Sequence, residues 1–246
     1  MASNPPAKCC TEGVRHEGEP TGSVIKIGNI DVYVAEPKGS VVHKDTAILY
    51  LPDVISIWQN SKLMADQYAA NGYYTIIPDL FSGDALALER PDDFDFMGWM
   101  SKHGVKEVEP IVLAALKYLK EEKGFKKIGS TGYCFGAKYT VRSMKQGGGI
   151  DVGYVAHPSF VDEAELSAIA GPLSIAAAET DAIFPTEKRH KSEVILQETK
   201  QPYQINLFSG VSHGFSVRCD TSIPIQKFAK EQAFLQAISW FDQYLV

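Results

Sequence analysis

Cys134 sits in Gly132-Tyr133-Cys134-Phe135-Gly136, between an apolar run that reads as a strand and a segment that reads as a helix. A nucleophile with glycine two residues to either side is the spacing of a sharp strand-to-helix turn. The glycines relieve crowding and the central side chain is lifted above the sheet. At the head of a helix, backbone amides and the dipole favour a thiolate or an oxyanion. Asp181 follows the apolar run 173–178, and His213 follows the alternating run 203–208 in Val211-Ser212-His213-Gly214-Phe215. Each residue alone has a plain reading: a buried Cys in a tight turn, a surface Asp, a structural His. Together, in this order and each after its own strand, they form a set for acyl chemistry. The imidazole takes the thiol proton and later activates water, while the carboxylate fixes the imidazole tautomer.

The elements that must position these residues can be read from periodicity. Residues 23–36 predict two short strands turning at Gly28-Asn29. The runs 47–51 and 73–77 predict strands buried on both faces, the second stopped by Pro78. A helix capped by Asn60 or Ser61 separates them and ends near Asn71-Gly72. Val105, Val108, Ile111, Val112, Ala115, Leu116 and Leu119 recur at helical spacing up to Gly124. Strands follow at 127–133, 151–156, 173–178 and 203–208, with helices at 135–144, 187–198 and 224–244. Strand and helix alternate, so the expected fold is α/β: a mostly parallel central sheet with helices on both faces. Ligands bind such sheets beyond the carboxyl ends of the strands. Asp53, Asp79, Cys134, His157, Asp181 and His213 all fall there. Residues 1–22, rich in Pro, Gly and charge, are expected to form a loose surface arm, and 23–246 a single domain.

Composition narrows the partners. A net charge of −6 and a pI near 5.5 argue against nucleic acid or an anionic membrane as the main partner. No apolar run approaches the roughly 18 residues that cross a bilayer, and the N-terminus lacks the apolar stretch of a signal peptide. A cytoplasmic protein, monomeric or homodimeric, acting on a small molecule is expected. Four cysteines, Cys9, Cys10, Cys134 and Cys219, are too few for a disulfide scaffold. No Cys-x-x-Cys or His-x-x-x-His spacing occurs, so neither a metal nor a cofactor is expected. Cys9, Cys10 and Cys219 lack a positioned base and read as structural or incidental. His16, His43, His103 and His190 read as solvated.

Gly-Tyr-Cys-Phe-Gly, Asp181 in Ala-Glu-Thr-Asp, His213 in Ser-His-Gly-Phe and the segment Pro78-Asp79-Leu80-Phe81 resemble the dienelactone hydrolase family, a cysteine-using branch of the α/β-hydrolases. The likeness runs from about residue 23 to the C-terminus, and the Asn-Pro-Pro-x-x-Cys-Cys start is similar to fungal members. The resemblance implies an α/β-hydrolase fold and a lactone or ester hydrolase with Cys134 as nucleophile, His213 as base and Asp181 as its orienting partner. Backbone N–H groups would hold the oxyanion: Phe135, directly after the nucleophile, and Val54, in the loop after strand 47–51.

Two departures from the bacterial pattern bear on substrate. Bacterial members carry a Glu where this chain has Asp53, one methylene shorter. They also hold a substrate carboxylate with two arginines. One has no counterpart beside Phe81-Ser82-Gly83, and Arg218, five residues after His213, is the candidate for the other. Loss of one clamp implies a substrate less dependent on a carboxylate. Trp99, within the aromatic stretch 83–104, is a candidate pocket wall, and His157 a candidate substrate contact. The alternatives are a tailoring hydrolase or cyclase acting on a larger polyketide-like lactone, and a non-enzymatic ligand-binding module on the same scaffold.

Overall fold

The structure, a computed structural model, describes residues 1–88, 90–91 and 93–246. Eight strands form one sheet: β1 (Ser23–Ile27), β2 (Ile30–Ala35), β3 (Thr46–Leu51), β4 (Tyr74–Pro78), β5 (Lys127–Tyr133), β6 (Val152–Ala156), β7 (Leu173–Thr180) and β8 (Tyr203–Ser212). Their order is β1-β2-β4-β3-β5-β6-β7-β8. β2 pairs antiparallel with both β1 and β4, and the pairings β4–β3, β3–β5, β5–β6, β6–β7 and β7–β8 are parallel. The α/β expectation therefore holds, with one antiparallel edge.

The period of two along the buried strands sorts the core into two layers. On β3, Ala47, Leu49 and Leu51 face one cluster while Ile48 and Tyr50 face the other. The first cluster takes in helices α3 (Val105–Lys117) and α4 (Gly136–Ser143), with Leu196 of α6 (Thr186–Thr199). The second takes in α1 (Gln59–Ala70) and α8 (Pro224–Tyr244), through Met64, Tyr68, Ala233 and Phe241 among others. With both faces covered, the strands can be continuous apolar runs, as their sequences are.

Local chemistry shifts several boundaries. The N-cap of α1 is Trp58, whose amide donates to Ser61 Oγ. Asn60 instead spends its side chain on the backbone of Val14, His16 and Val217. Three short helices escaped the periodicity because they span only a turn or so: α2 (Phe96–Ser101), α5 (Glu163–Ser167) and α7 (Phe215–Arg218).

The N-terminal residues correct the expectation of a loose arm. Ala2, Ser3, Cys10 and Thr11 are buried. The segment is stitched to loops at the carboxyl ends of the strands: Ser3 N donates to Val161 O, Asn4 N to Ile183 O and Val14 N to Arg218 O. Residues Lys8–Thr11 form one turn of 3₁₀ helix. His103 also departs from expectation: it is buried, with Nε2 2.9 Å from Asp84 Oδ2.

Candidate active site

Cys134 ends β5 with φ +50°, a left-handed conformation that costs a non-glycine residue of order 1 kcal/mol or more. The surrounding backbone fixes that turn: Cys134 N donates to Ala156 O, and Ser159 N donates to Cys134 O. The two glycines serve close approach. A Cβ on Gly132 would lie 2.6 Å from Thr140 Oγ1 and 2.7 Å from Ala137 Cα, and one on Gly136 would lie 2.1 Å from Leu51 O. The turn thus packs α4 directly onto the end of β3.

Asp181 follows a bulge at the end of β7. Its Oδ1 accepts from the amides of Ile183 and Phe184 at 2.8 and 3.0 Å, so its own loop holds the carboxylate. Both carboxylate oxygens face His213 Nδ1, Oδ2 at 2.9 Å and Oδ1 at 3.1 Å. A carboxylate accepts only, so Nδ1 donates and Nε2 turns toward the sulfurs. There it meets Cys10 first, with Sγ 3.6 Å away. Cys10 Sγ is also 3.2 Å from Cys134 Sγ. The two sulfurs and a ring nitrogen of His213 lie within 4.8 Å of one another. Asp181, His213 and Cys10 thus form a continuous line of contacts, and Cys134 joins it through the Cys10 sulfur.

Electrostatics separates the two thiols. Burial pushes Cys134 upward, but the hydrogen bond with Cys10 and the positive charges of His213 and Arg218 outweigh it, leaving Cys134 well below an ordinary thiol. Burial and the hydrogen bond to Cys134 hold Cys10 well above one. Burial pulls His213 down, yet the Cys134 thiolate and Asp181 carry it above an ordinary imidazole. These shifts favour the charged forms of Cys134 and His213 and the protonated thiol of Cys10.

Arg218 and Asp53 form a fully buried ion pair beneath this group. Asp53 Oδ1 also accepts from Ile55 N at 3.0 Å. The guanidinium reaches the opposite way as well, its Nε donating to Glu12 O at 3.1 Å and an Nη to Cys9 O at 3.4 Å. Arg218 thus fastens the Cys10 segment over the nucleophile. Phe135 and Val54, whose amides are the candidate oxyanion donors, are both fully buried and belong to the same core cluster as Cys134.

His157 is fully buried at φ +38°, its Nε2 2.7 Å from Ser216 Oγ and its ring 5.0 Å from the His213 ring. It backs the imidazole rather than facing open space. Trp99 is buried on α2, donating to Asp84 O at 2.7 Å. It connects to the turn through Phe81, whose ring packs on Trp99 and on Phe135. Asp79 caps its own turn, accepting from Phe81 N and Gly83 N.

Cys134 itself has no exposure. A cavity of about 390 Å³ borders His213, Gly214, Arg218 and Cys9. A larger one of about 810 Å³ lies between the arm, α1 and α8, lined by residues such as His16, Leu63 and Lys230. Only the first of the two is lined by His213, so chemistry and not size selects it.

The dienelactone hydrolase family model matches residues 30–245. The chain belongs to the dienelactone hydrolase family. It is 49% identical over its whole length to hydrolase pyvD of Aspergillus violaceofuscus, covering 99% of that protein. It is 37% identical to dienlactone hydrolase 1 of Gibberella moniliformis, covering all of this chain and 96% of that one. A crystal structure of a putative dienelactone hydrolase from Klebsiella pneumoniae superposes with TM-score 0.72, covering 91% of this chain and 99% of that one at 16% identity, which shows the shared fold. Membership makes the chain a lactone or ester hydrolase and sets aside a purely ligand-binding module. Cys10, which sequence reasoning passed over as incidental, is the residue the structure adds. Its only signal was the Cys-Cys pair in the fungal-type start.

Proposed function

We propose that the chain hydrolyses a lactone or carboxylic ester through Cys134, His213 and Asp181 by way of an acyl-thioester. The observation that carries this reading is the orientation of His213: Nδ1 is held by a carboxylate, leaving Nε2 toward the Cys10 sulfur that touches the nucleophile. The thiolate adds to the ester carbonyl, and the amides of Phe135 and Val54 receive the oxyanion, each worth about 3 kcal/mol in the transition state. The tetrahedral intermediate collapses, expelling the alkoxide, which takes its proton from the His213 imidazolium. In a lactone that alcohol stays tethered to the acyl group. The neutral imidazole then deprotonates water, hydroxide attacks the thioester carbonyl, and the carboxylic acid leaves as Cys134 is released.

The segment around Cys9–Gly13 must lift for a carbonyl to reach the buried sulfur. Its ties to Arg218 are hydrogen bonds to carbonyls, each contributing about 1.5–3 kcal/mol net, a cost that ordinary binding energies can offset. The commitment of Arg218 to Asp53 supports a substrate not anchored by a carboxylate, and thereby a larger lactone of polyketide-like character over a small acidic one. Intact mass after incubation with a graded panel of lactones tests both statements. An acyl adduct on the parent, absent from Cys134→Ala, is expected, with bulky neutral lactones preferred. Turnover by a folded Cys134→Ala chain would overturn the mechanism.

A further inference from the structure

Cys10 takes no step in the hydrolytic cycle, yet it is fully buried and touches both the nucleophile and the base. Its sulfur, that of Cys134 and the His213 ring arrive from three separate places: the N-terminal 3₁₀ turn, the end of β5 and the loop after β8. Asp181 holds Nδ1 of His213, so Nε2 points inward, toward the sulfurs. A carboxylate behind an imidazole is the arrangement that fixes a metal-binding histidine.

Distances suit a cation. Four-coordinate zinc has Zn–S of about 2.3 Å and Zn–N of about 2.0–2.1 Å, which places tetrahedral ligands roughly 3.8 Å apart for two sulfurs and roughly 3.6 Å for sulfur and nitrogen. Here the sulfur–nitrogen separation is 3.6 Å and the sulfur–sulfur separation 3.2 Å. Opening the sulfurs by about 0.6 Å brings that pair to tetrahedral spacing, and all three ligand atoms already lie within 4.8 Å of one another. A disulfide would instead draw them to about 2.05 Å and make no use of the imidazole.

We propose that Cys10, Cys134 and His213 form a binding site for a thiophilic divalent cation of the zinc(II) class, with water from the cavity beside His213 as fourth ligand. Binding ionises both sulfurs: the ion displaces the Cys10 proton, while the proton shared by Cys134 and His213 leaves the imidazole. Two Cys–metal bonds form, and two protons pass to solvent. Because nucleophile and base are both ligands, the loaded protein is closed to esters and removal of the ion reopens it. The site does not depend on the hydrolytic reading, and its test uses no substrate.

The full chain, stripped of metal and kept reduced with a phosphine, is titrated with Zn²⁺ against a chromophoric chelator. One ion per chain is expected. Cys10→Ser should weaken binding by about 100-fold or more, since even an outer-sphere change costs 10–100-fold, and Cys219→Ser should leave it unchanged. Co²⁺ should give thiolate-to-metal charge-transfer absorption that diminishes in Cys10→Ser. Circular dichroism confirms that the variants fold, and Cys134→Ser gives a second loss of affinity should Cys10→Ser not fold. Parent-like zinc affinity in folded Cys10→Ser, or a cobalt spectrum with no thiolate band, would overturn the proposal.

Discussion

Two segments deliver a cysteine to one point, and they do so by opposite means. Cys134 is placed by the scaffold: a parallel strand, a turn tightened by Gly132 and Gly136, and a helix packed against Leu51 O. Cys10 is placed by a turn of 3₁₀ helix held through scattered contacts to Arg218, Val161 and Ile183. The first placement is made by nearest neighbours in sequence, whereas Cys10 lies 203 residues from the imidazole it meets. Rigid delivery suits the atom that must attack. Detachable delivery suits a group that has to move before a substrate can enter.

Experiments that break one side of this comparison and spare the other sharpen it. The largest effect belongs to the scaffold side. Cys134→Ala should lower ester turnover by about 10³-fold or more with the fold retained, measured by steady-state kinetics and circular dichroism. Asp181→Asn should lower it by about 10²–10⁴-fold, because the tautomer is no longer fixed.

The same substitution carries a pH signature. In the parent, the thiolate is lost only as pH falls through the depressed Cys134 value, and the imidazolium only as pH rises through the elevated His213 value. Alkylation of Cys134 by iodoacetamide should therefore stay fast well below the ordinary thiol range near pH 8.5. In Asp181→Asn the alkaline limb should move to lower pH. An alkylation profile that rises only around pH 8–9 would show an unperturbed thiol.

Arg218 joins the two segments, and Arg218→Met leaves the Asp53 carboxyl buried without its partner. Destabilisation of about 3–5 kcal/mol is expected, read as a drop in the denaturation midpoint. The smallest effect isolates the arm. Gly13 has φ +147°, and a Cβ there would lie 2.4 Å from Arg218 Cβ. Gly13→Val should shift the arm toward release by about 1–3 kcal/mol, raising Cys134 labelling about 5- to 150-fold. An unchanged labelling rate would mean that the arm does not limit access.

The same division explains what could be read from the chain alone. The parallel sheet, the turn at Cys134 and the order of Asp181 and His213 rest on local periodicity and on spacing within each strand–loop unit, and these were legible. The short helices Phe96–Ser101 and Phe215–Arg218 were not, because one turn carries no period. The role of Arg218 was half visible. Its position after His213 marked it, but the buried partner, Asp53, stands 165 residues away. Cys10 was invisible as part of the site for the same reason: its sulfur meets an imidazole 203 residues away.

Arg218 also sets how the covering segment can leave. The guanidinium gives its charge to Asp53 and only its remaining N–H groups to the carbonyls of Cys9 and Glu12. Departure of the segment therefore separates no opposite charges: water can take the place of two neutral acceptors while the ion pair underneath stays whole. The latch and the foundation share one side chain, and releasing the latch leaves the foundation standing.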